Sequence, residues 1–185
     1  EPVNEEIGMT ESSTMKNIGL RGVKVADTRI SHVDGTNGVL IYRGYRIEAL
    51  AENSAFEETA YLLHHEELPA AEALREYTAQ LVASREIPGF VFDALRKFPA
   101  GAGPMDVLQA AVPLLAAADP DLADDSREAN ERKAARLIAR VAGVVAAWHR
   151  IRKDRAVVAP DPGLSHAANF LWQMTGARPD EEIAA

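Results

Sequence analysis

Histidines are the side chains of this sequence best suited to acid–base or metal chemistry near neutral pH. No two of them flank a glutamate at the i, i+4 spacing that binds zinc on one face of a helix. The sequence also lacks a Gly-x-Ser-x-Gly elbow, which would present a nucleophilic serine. These patterns identify no catalytic residue and no metal ligand. The histidines are His32, His64, His65, His149 and His166.

Structural roles are favoured for most of these histidines. His64 and His65 are adjacent, so on a helix they point in different directions, and the glutamates after them are typical of a helix end near solvent. His149 follows Trp148 in a long helical pattern, which favours packing or capping. His166 has two interpretations, a structural residue at a helix start or a residue that borders a functional cleft.

Glycines and basic residues are concentrated between residues 19 and 46. The glycine spacing matches neither a phosphate-binding loop that ends in Lys-Ser or Lys-Thr nor the dinucleotide-binding fingerprint. Turn formation is therefore favoured for the glycines. The basic residues have two interpretations, an anion site or a solvated surface. The glycines are Gly19, Gly22, Gly35, Gly38 and Gly44, and the basic residues are Arg21, Lys24, Arg29, Arg43 and Arg46.

Composition excludes several classes of protein. The 185 residues include 28 acidic and 20 basic side chains, and the net charge of −8 disfavours general nucleic-acid binding. The sequence has no cysteine, so disulfides and thiolate metal sites are excluded. No apolar run approaches the ~20 residues that span a bilayer. We therefore expect neither a nucleic acid nor a membrane as partner.

The sequence pattern divides the chain into a tail and a mainly helical region. Residues 1–17 are acidic and aperiodic, which predicts a mobile tail. A short β-strand or hairpin segment is predicted near residues 22–47, where two apolar runs flank a turn cluster. Most of the chain after it has helical spacing, so the fold class is mainly α. The runs are Gly22–Val25 and Val39–Tyr42, and the cluster is Asp34–Gly38.

Prolines and capping residues set the limits of the predicted helices. Pro104 suits a first helical position, whereas Pro113 predicts a kink. Ser165 can cap a helix that stops at Gly176. The helices begin near Glu48, and they comprise one with Phe56, Ala60 and Leu63 on a face, one with Leu74, Tyr77 and Leu81, one with Val91, Leu95 and Phe98, and further helices at 104–118, 126–153 and 165–175.

Two of these helices are apolar around most of their circumference. Residues 141–148 are apolar on every face, and residues 107–118 nearly so. A helix of this kind must be buried on all sides. The pattern indicates a larger parent protein, a partner subunit, or both, and we predict a homodimer through helices 104–118 and 126–153.

The last residues of the chain have the pattern of a helix start. Pro179 suits a first helical position, and the acidic residues 180–182 suit a first turn. Residues 183–185 would continue the helix, but a helix this short is unstable alone. We therefore expect that the chain is cut inside a helix.

Several segments, taken in their order and spacing, resemble the citrate synthase family in its short bacterial form. The resemblance runs from Gly19 to the end of the chain and departs from the family at Gly103, where a histidine usually precedes Pro-Met, and at Pro113. The matching segments are GLRGV at 19–23, DG at 34–35, GVL at 38–40, YRGYRI at 42–47, SAFEETAYLL at 54–63, LP at 68–69, FP at 98–99, PM at 104–105 and LSHAANFL at 164–171.

The resemblance implies a mostly helical enzyme whose large and small domains close over the substrate. Residues 18–185 would form the N-terminal part of the large domain. Such enzymes join acetyl-CoA to oxaloacetate and release CoA, and their catalytic aspartate and histidines lie beyond the region seen here. No position in 1–185 matches them, so 1–185 alone is predicted to be inactive. No metal and no covalently bound cofactor are expected.

The resemblance also suggests a CoA contact and leaves two alternative functions. Arg21 matches a position where some family members place an arginine that binds CoA. We expect a cytoplasmic homodimer. The alternatives are a 2-methylcitrate synthase that uses propionyl-CoA and a catalytically inactive truncated homologue that acts as a dimerising module.

Overall fold

The computed structural model describes residues 26–180, in which a small antiparallel sheet precedes a series of helices. This order confirms the mainly α fold class. The tail at 1–17 and the apolar run at 22–25 lie outside the described residues. The elements are β1 (Ser31–Asp34), β2 (Val39–Tyr42), β3 (Tyr45–Arg46), α1 (Ile47–Asn53), α2 (Phe56–His65), α3 (Ala71–Ala83), α4 (Gly89–Leu95), α5 (Pro104–Ala117), α6 (Arg127–Ile151) and α7 (His166–Thr175).

The predicted turn cluster forms a tight connection in the sheet, whose strand order is β1-β2-β3. Oδ1 of Asp34 accepts hydrogen bonds from the N–H groups of Thr36 and Asn37, each at 3.1 Å. Gly38 has a φ of +66°, which favours glycine. The strand before the turn is β1, and Asp34 pairs with Val39. The partner of β2 across this turn is thus β1, the strand that directly precedes the turn cluster.

The helical pattern that begins near Glu48 is divided into α1 and α2. The N–H of Ala55 donates to Oε2 of Glu58 at 2.8 Å, which satisfies a backbone donor at the start of α2. The sequence predicted that Leu63 lies on the apolar face of α2. This prediction is wrong in part, because the neighbouring Leu62 is fully buried, whereas Leu63 is half-buried. Phe56 is 46% exposed, and its ring packs on α7 instead.

The main hydrophobic core joins α4, α5 and α6. Helix α5 contributes residues at i, i+4 and i+8, and the predicted face of α4 is confirmed by Val91 and Leu95. Phe98 lies beside it, with its ring edge-on to Trp148 at 6.3 Å. A second cluster joins α2, α3 and α6 through Ala60, Tyr77, Leu81 and Ala135. The main cluster consists of Ile87, Val91, Leu95, Val107, Ala111, Leu115, Val144, Ala147 and Trp148.

Helix α6 shows that the chain itself buries much of its most apolar segment. Val144 and Ala146 are fully buried, and Trp148 is nearly so. At Gly143 a Cβ would lie 2.8 Å from Cδ1 of Ile87, so a larger residue there would require the end of the Ile87 side chain to move. The chain itself therefore supplies part of the burial that the sequence predicts for residues 141–148. No helix among residues 26–180 is long and apolar enough to span a membrane.

The acidic loop between α5 and α6 is held by arginines of α6. Arg136 donates to both carboxylate oxygens of Asp119, at 2.8 Å and 2.6 Å, and its Nη2 also reaches Asp121 at 2.6 Å. Arg132 makes a second two-point contact with Asp121. These guanidinium groups hold the pKa of both aspartates below the usual range. These ion pairs fix the start of the loop, and with it the end of α5, against α6.

Helix α7 has the limits that its capping residues predict. Oγ of Ser165 accepts a hydrogen bond from the N–H of Ala168 at 3.2 Å, and Gly176 ends the helix with a φ of +80°. The next predicted helix does not begin at Pro179, since Pro179 and Asp180 are not helical. The remainder of that predicted helix, residues 181–185, lies outside the described residues.

Candidate functional site

Among the basic residues of the glycine-rich segment that the structure describes, Arg43 contacts the end of α2. Arg21 and Lys24 lie outside the described residues. Nη2 of Arg43 donates to the carbonyl oxygen of Leu63 at 2.9 Å, and Nη1 lies 3.5 Å from Glu66. Arg43 therefore ties the β2–β3 turn to the end of α2, which is a structural role.

The adjacent histidines lie at the end of α2, as predicted. The ring of His65 stacks on Tyr61 at 4.1 Å. His64 and His65 border a polar cleft of about 220 Å³ with Glu131 of α6. Burial and the neighbouring His65 lower the pKa of His64. Among residues 26–180, no group of three or more His, Cys, Asp or Glu side chains could hold a metal ion.

His166 is buried where α7 meets α2. Its backbone N–H donates to Oε1 of Glu57 at 2.7 Å. Its imidazole stacks on Phe56, with ring centroids 4.3 Å apart and planes 9° from parallel. Glu57 is only 6% exposed, and its carboxylate caps the positive end of the α7 dipole. The N-terminal turns of two helices are thereby joined by one stacked pair and one charged hydrogen bond.

A buried arginine holds the loop that leads into α7. Arg85 is 3% exposed, and it donates to the carbonyl oxygens of Asp161 at 2.8 Å and Leu164 at 2.9 Å. Burial lowers the pKa of Arg85, while the charge of Glu57 opposes that effect. Glu57 thus faces a buried guanidinium group, which compensates its own burial.

Amide side chains fix the opposite side of the same loop. The N–H of Asp161 donates to Oδ1 of Asn169 at 2.9 Å, and Nδ2 of Asn169 donates to Oε1 of Gln173 at 3.0 Å. Nε2 of Gln173 in turn donates to the carbonyl oxygen of Val158 at 3.3 Å. Asn169 and Gln173 are both buried, so this network satisfies polar groups that would otherwise cost free energy.

The sequence pattern does not indicate that Glu57 and Arg85 are buried. Glu57 precedes Glu58 in the first turn of α2, where acidic residues are common on the surface. Only Glu58 has that local role, whereas Glu57 accepts a hydrogen bond from His166, which is 109 positions away in the chain. A single sequence contains no signal for such a contact. His166 was identified, with its role left open, and the structure places it in this cluster.

An open apolar groove of about 540 Å³ begins at His166 and follows α6. Its floor is a stripe of α6 residues at i, i+4 and i+8, namely Leu137, Val141 and Val145. Phe56 and Phe170 also line it. Leu137 remains 39% exposed, so the groove is an apolar surface that the described residues do not cover.

A second apolar groove of about 180 Å³ adjoins the first at Val145. Its lining includes Leu108 and Met105 of α5, and Met105 is 73% exposed. Val145 lines both grooves, so it lies at the centre of an apolar surface shared by α5, α6 and α7. Most of the residues that line this surface are apolar, so among the described residues it is better suited to helix packing than to acid–base chemistry.

Comparison with known proteins supplies the family. The family model described as "Citrate synthase, C-terminal domain" matches residues 19–185. Citrate synthase of Haloferax volcanii is 40% identical over 170 residues, which cover 90% of this chain and 45% of that protein. The 2-methylcitrate synthase of Mycobacterium tuberculosis is 37% identical over 167 residues, covering 90% of this chain and 42% of that protein.

A solved structure agrees with these relatives. The ternary complex of carboxymethyl coenzyme A and oxaloacetate with citrate synthase from Thermoplasma acidophilum superposes with a TM-score of 0.84 at 29% identity, covering 91% of this chain and 45% of that chain. The chain therefore belongs to the citrate synthase family, as its motifs indicated. It spans less than half the length of the relatives that it matches.

Proposed function

We propose that the protein containing this chain condenses acetyl-CoA with oxaloacetate to give citrate and CoA. The main observation that supports this proposal is the match to a citrate synthase over nine-tenths of the chain at 40% identity. The ternary complex of the Thermoplasma acidophilum enzyme with an acyl-CoA analogue and oxaloacetate supports the same pair of substrates. Acetyl-CoA enters as a substrate, and we propose neither a metal nor a covalently bound cofactor.

In this proposal residues 18–185 form the N-terminal part of the large domain, and the reacting groups come from residues beyond this chain. The mechanism is general acid–base catalysis in a closed site from which water is excluded. The contribution of the present residues is a rigid base, since the buried cluster around Glu57 and the core of α4, α5 and α6 hold the helices in place. We also propose a cytoplasmic location.

A 2-methylcitrate synthase is the alternative that a specific observation favours, since the Mycobacterium tuberculosis relative of that name is 37% identical. Propionyl-CoA differs from acetyl-CoA by one methylene group, and a pocket discriminates such a pair by only about 10–200-fold. A catalytically inactive dimerising module is a third possibility, in which the apolar surface of α6 would be the functional feature.

The full-length protein is expected to release thiol from acetyl-CoA only when oxaloacetate is added. Because acyl selection rests on one methylene, the rate with acetyl-CoA should exceed that with propionyl-CoA by about tenfold or more. A colorimetric thiol assay measures both rates. A preference for propionyl-CoA would support the 2-methylcitrate synthase, and turnover with neither would support the inactive module. Purified residues 1–185 are the control and should give only background release.

Arg21 is proposed to bind a phosphate of CoA through its two-pronged guanidinium group. Replacing Arg21 with alanine in the full-length enzyme should raise the KM for acetyl-CoA by about tenfold, since a charged hydrogen bond contributes roughly 1.5–3 kcal/mol. The KM for oxaloacetate should stay nearly constant. Arg29→Ala is the matched control, because Arg29 is an exposed arginine in the same segment. Equal effects of the two substitutions would remove Arg21 from the CoA site.

A homodimer joined through α5 and α6 is proposed as the assembly. The prediction from sequence placed helices 104–118 and 126–153 at the interface, and the supporting observation is the apolar surface centred on Val145. The core-facing residues of α6, such as Val144, are buried inside the chain and cannot serve as contact residues. The contact stripe is therefore assigned to Leu137, Val141 and Val145.

A further inference from the structure

Two titratable side chains, those of His166 and Glu57, take part in the contact between α2 and α7. His166 provides the ring that stacks on Phe56, and its backbone provides the N–H that binds Glu57. Only 8% of His166 is exposed. Its Nδ1 is buried and has no hydrogen-bond partner among the described residues. A proton added to this ring would therefore place a positive charge in a site that solvates it poorly.

The charged groups around His166 differ from one element to the next. Helix α2 presents the carboxylate of Glu57, and the α3–α4 connection presents the guanidinium group of Arg85. Tyr77 of α3 lies near the same carboxylate with its hydroxyl buried. In the loop before α7, Asp161 pairs with Arg178. The side chains of α6 that line the groove with His166 carry no titratable group, and they are Leu137, Ile138, Val141, Ala142 and Val145.

The opposing charges of Glu57 and Arg85 offset each other in part at the imidazole, and burial has the largest effect. Burial lowers the pKa of His166, Glu57 raises it, and Arg85 lowers it, in that order of size. The stacked pair favours the neutral imidazole, because an uncharged ring loses little hydration free energy when it is buried.

We propose that His166 makes the α2–α7 contact a pH-sensitive latch, which is closed while the imidazole is neutral and opens in mildly acidic solution. Opening separates Phe56 from His166 and lengthens the apolar groove toward the start of α7. The inference goes beyond the proposed condensation reaction, since it concerns the α2–α7 contact and not the substrates.

The pH range of the latch follows from the direction of the pKa shift. An exposed histidine binds its proton near pH 6.5, and His166 in the closed latch binds it only at lower pH. The closed form is therefore fully stable above about pH 6.5, and it loses stability as the pH falls from there to the lowered pKa. One proton is taken up on opening, so the opening constant grows by up to about tenfold for each pH unit in this range.

Aspartates do not produce the same effect in the same range. The N–H of Gly163 and the neighbouring Arg178 hold the pKa of Asp161 below its ordinary value of 3.8. Its contribution to stability is present above about pH 3.8 and is lost only in stronger acid. A change in the stability of the α2–α7 contact between pH 5 and 6.5 is therefore due to a histidine and not to the aspartates.

The test is amide hydrogen exchange of the full-length protein, read by mass spectrometry in peptides that cover residues 156–175. After correction for the chemical exchange rate, exchange at the start of α7 should accelerate by up to about tenfold for each pH unit below about 6.5. His166→Phe retains a ring for stacking on Phe56 but cannot titrate, so its exchange should not depend on pH. His64→Gln is the matched control, because it removes a histidine at the far end of α2 whose pKa is lowered in the same direction.

Two results would overturn the proposal. One is wild-type exchange at α7 that does not change with pH, and the other is an acceleration that persists in His166→Phe. If His166→Phe does not fold, His166→Gln serves as the variant. An independent measurement on the wild type is the NMR titration of the His166 ring, and a midpoint at or above 6.5 would contradict the latch whatever the variants show.

Discussion

Replacing Val144 with aspartate is expected to abolish the folded state of the full-length protein. Val144 has no exposed surface and packs in the core that joins α4, α5 and α6. A carboxylate at this position loses its water and gains no partner, which costs several kcal/mol in addition to the lost burial of the valine. Domains are typically stable by only about 5–15 kcal/mol. Circular dichroism and thermal unfolding measure the loss.

Val145→Asp is the matched control for this result. Val145 is the next residue along α6, but it faces the two apolar grooves instead of the core. The same carboxylate at that position can reach water in the monomer, so Val145→Asp should retain the helical spectrum and a cooperative transition. A folded Val144→Asp protein, or two equally unfolded variants, would contradict the assignment of Val144 to the core and Val145 to the surface.

The sequence could not distinguish these two valines. Residues 141–148 are apolar at every position, so the hydrophobic spacing does not indicate which face of the helix packs against the core. The face of α6 that packs against the core is determined by residues that are distant in the chain. Ile87 contacts Gly143 from one side, and α5 presents Val107, Ala111 and Leu115 to the core. Tertiary packing thus determines which face of α6 remains open. The periodicity of this segment does not reveal that packing.

Local chemistry made other parts of the fold predictable. Pro104 occupies the first position of α5, where its missing N–H leaves no donor unsatisfied. Ser165 and Gly176 bound α7, because each makes a hydrogen bond with a backbone group a few residues away. The turn at Asp34–Gly38 follows from the same short-range bonds. The buried pair of Glu57 and Arg85 could not be predicted, since it joins elements that meet only in the folded chain.

The candidate site could be predicted only in outline. His166 was identified by its place after a capping serine, but its stacking on Phe56 depends on how α2 approaches α7. The role of Arg21 stays a prediction, because that residue lies outside the described part of the chain. The homodimer also stays a prediction, although its expected contact residues can now be chosen from the exposed side of α6.

The full-length protein is expected to be a dimer that Val145→Asp converts to a folded monomer. A two-fold interface uses the same patch on both subunits, so one substitution places two carboxylates in the contact. Burial of each large apolar side chain of the stripe contributes roughly 1.5–3 kcal/mol, and Val145 borders both grooves. Light scattering at micromolar concentration distinguishes a dimer from a monomer.

Leu68→Asp is the control for the dimer prediction. Leu68 is 39% exposed, lies in the connection between α2 and α3, and lines neither groove, so the same substitution there should leave the dimer intact. A wild-type monomer, or a Val145→Asp protein that remains dimeric, would show that the surface centred on Val145 is not the subunit contact. The remaining residues of the full-length protein would then be its cover, because an apolar surface of this extent favours burial over exposure to water.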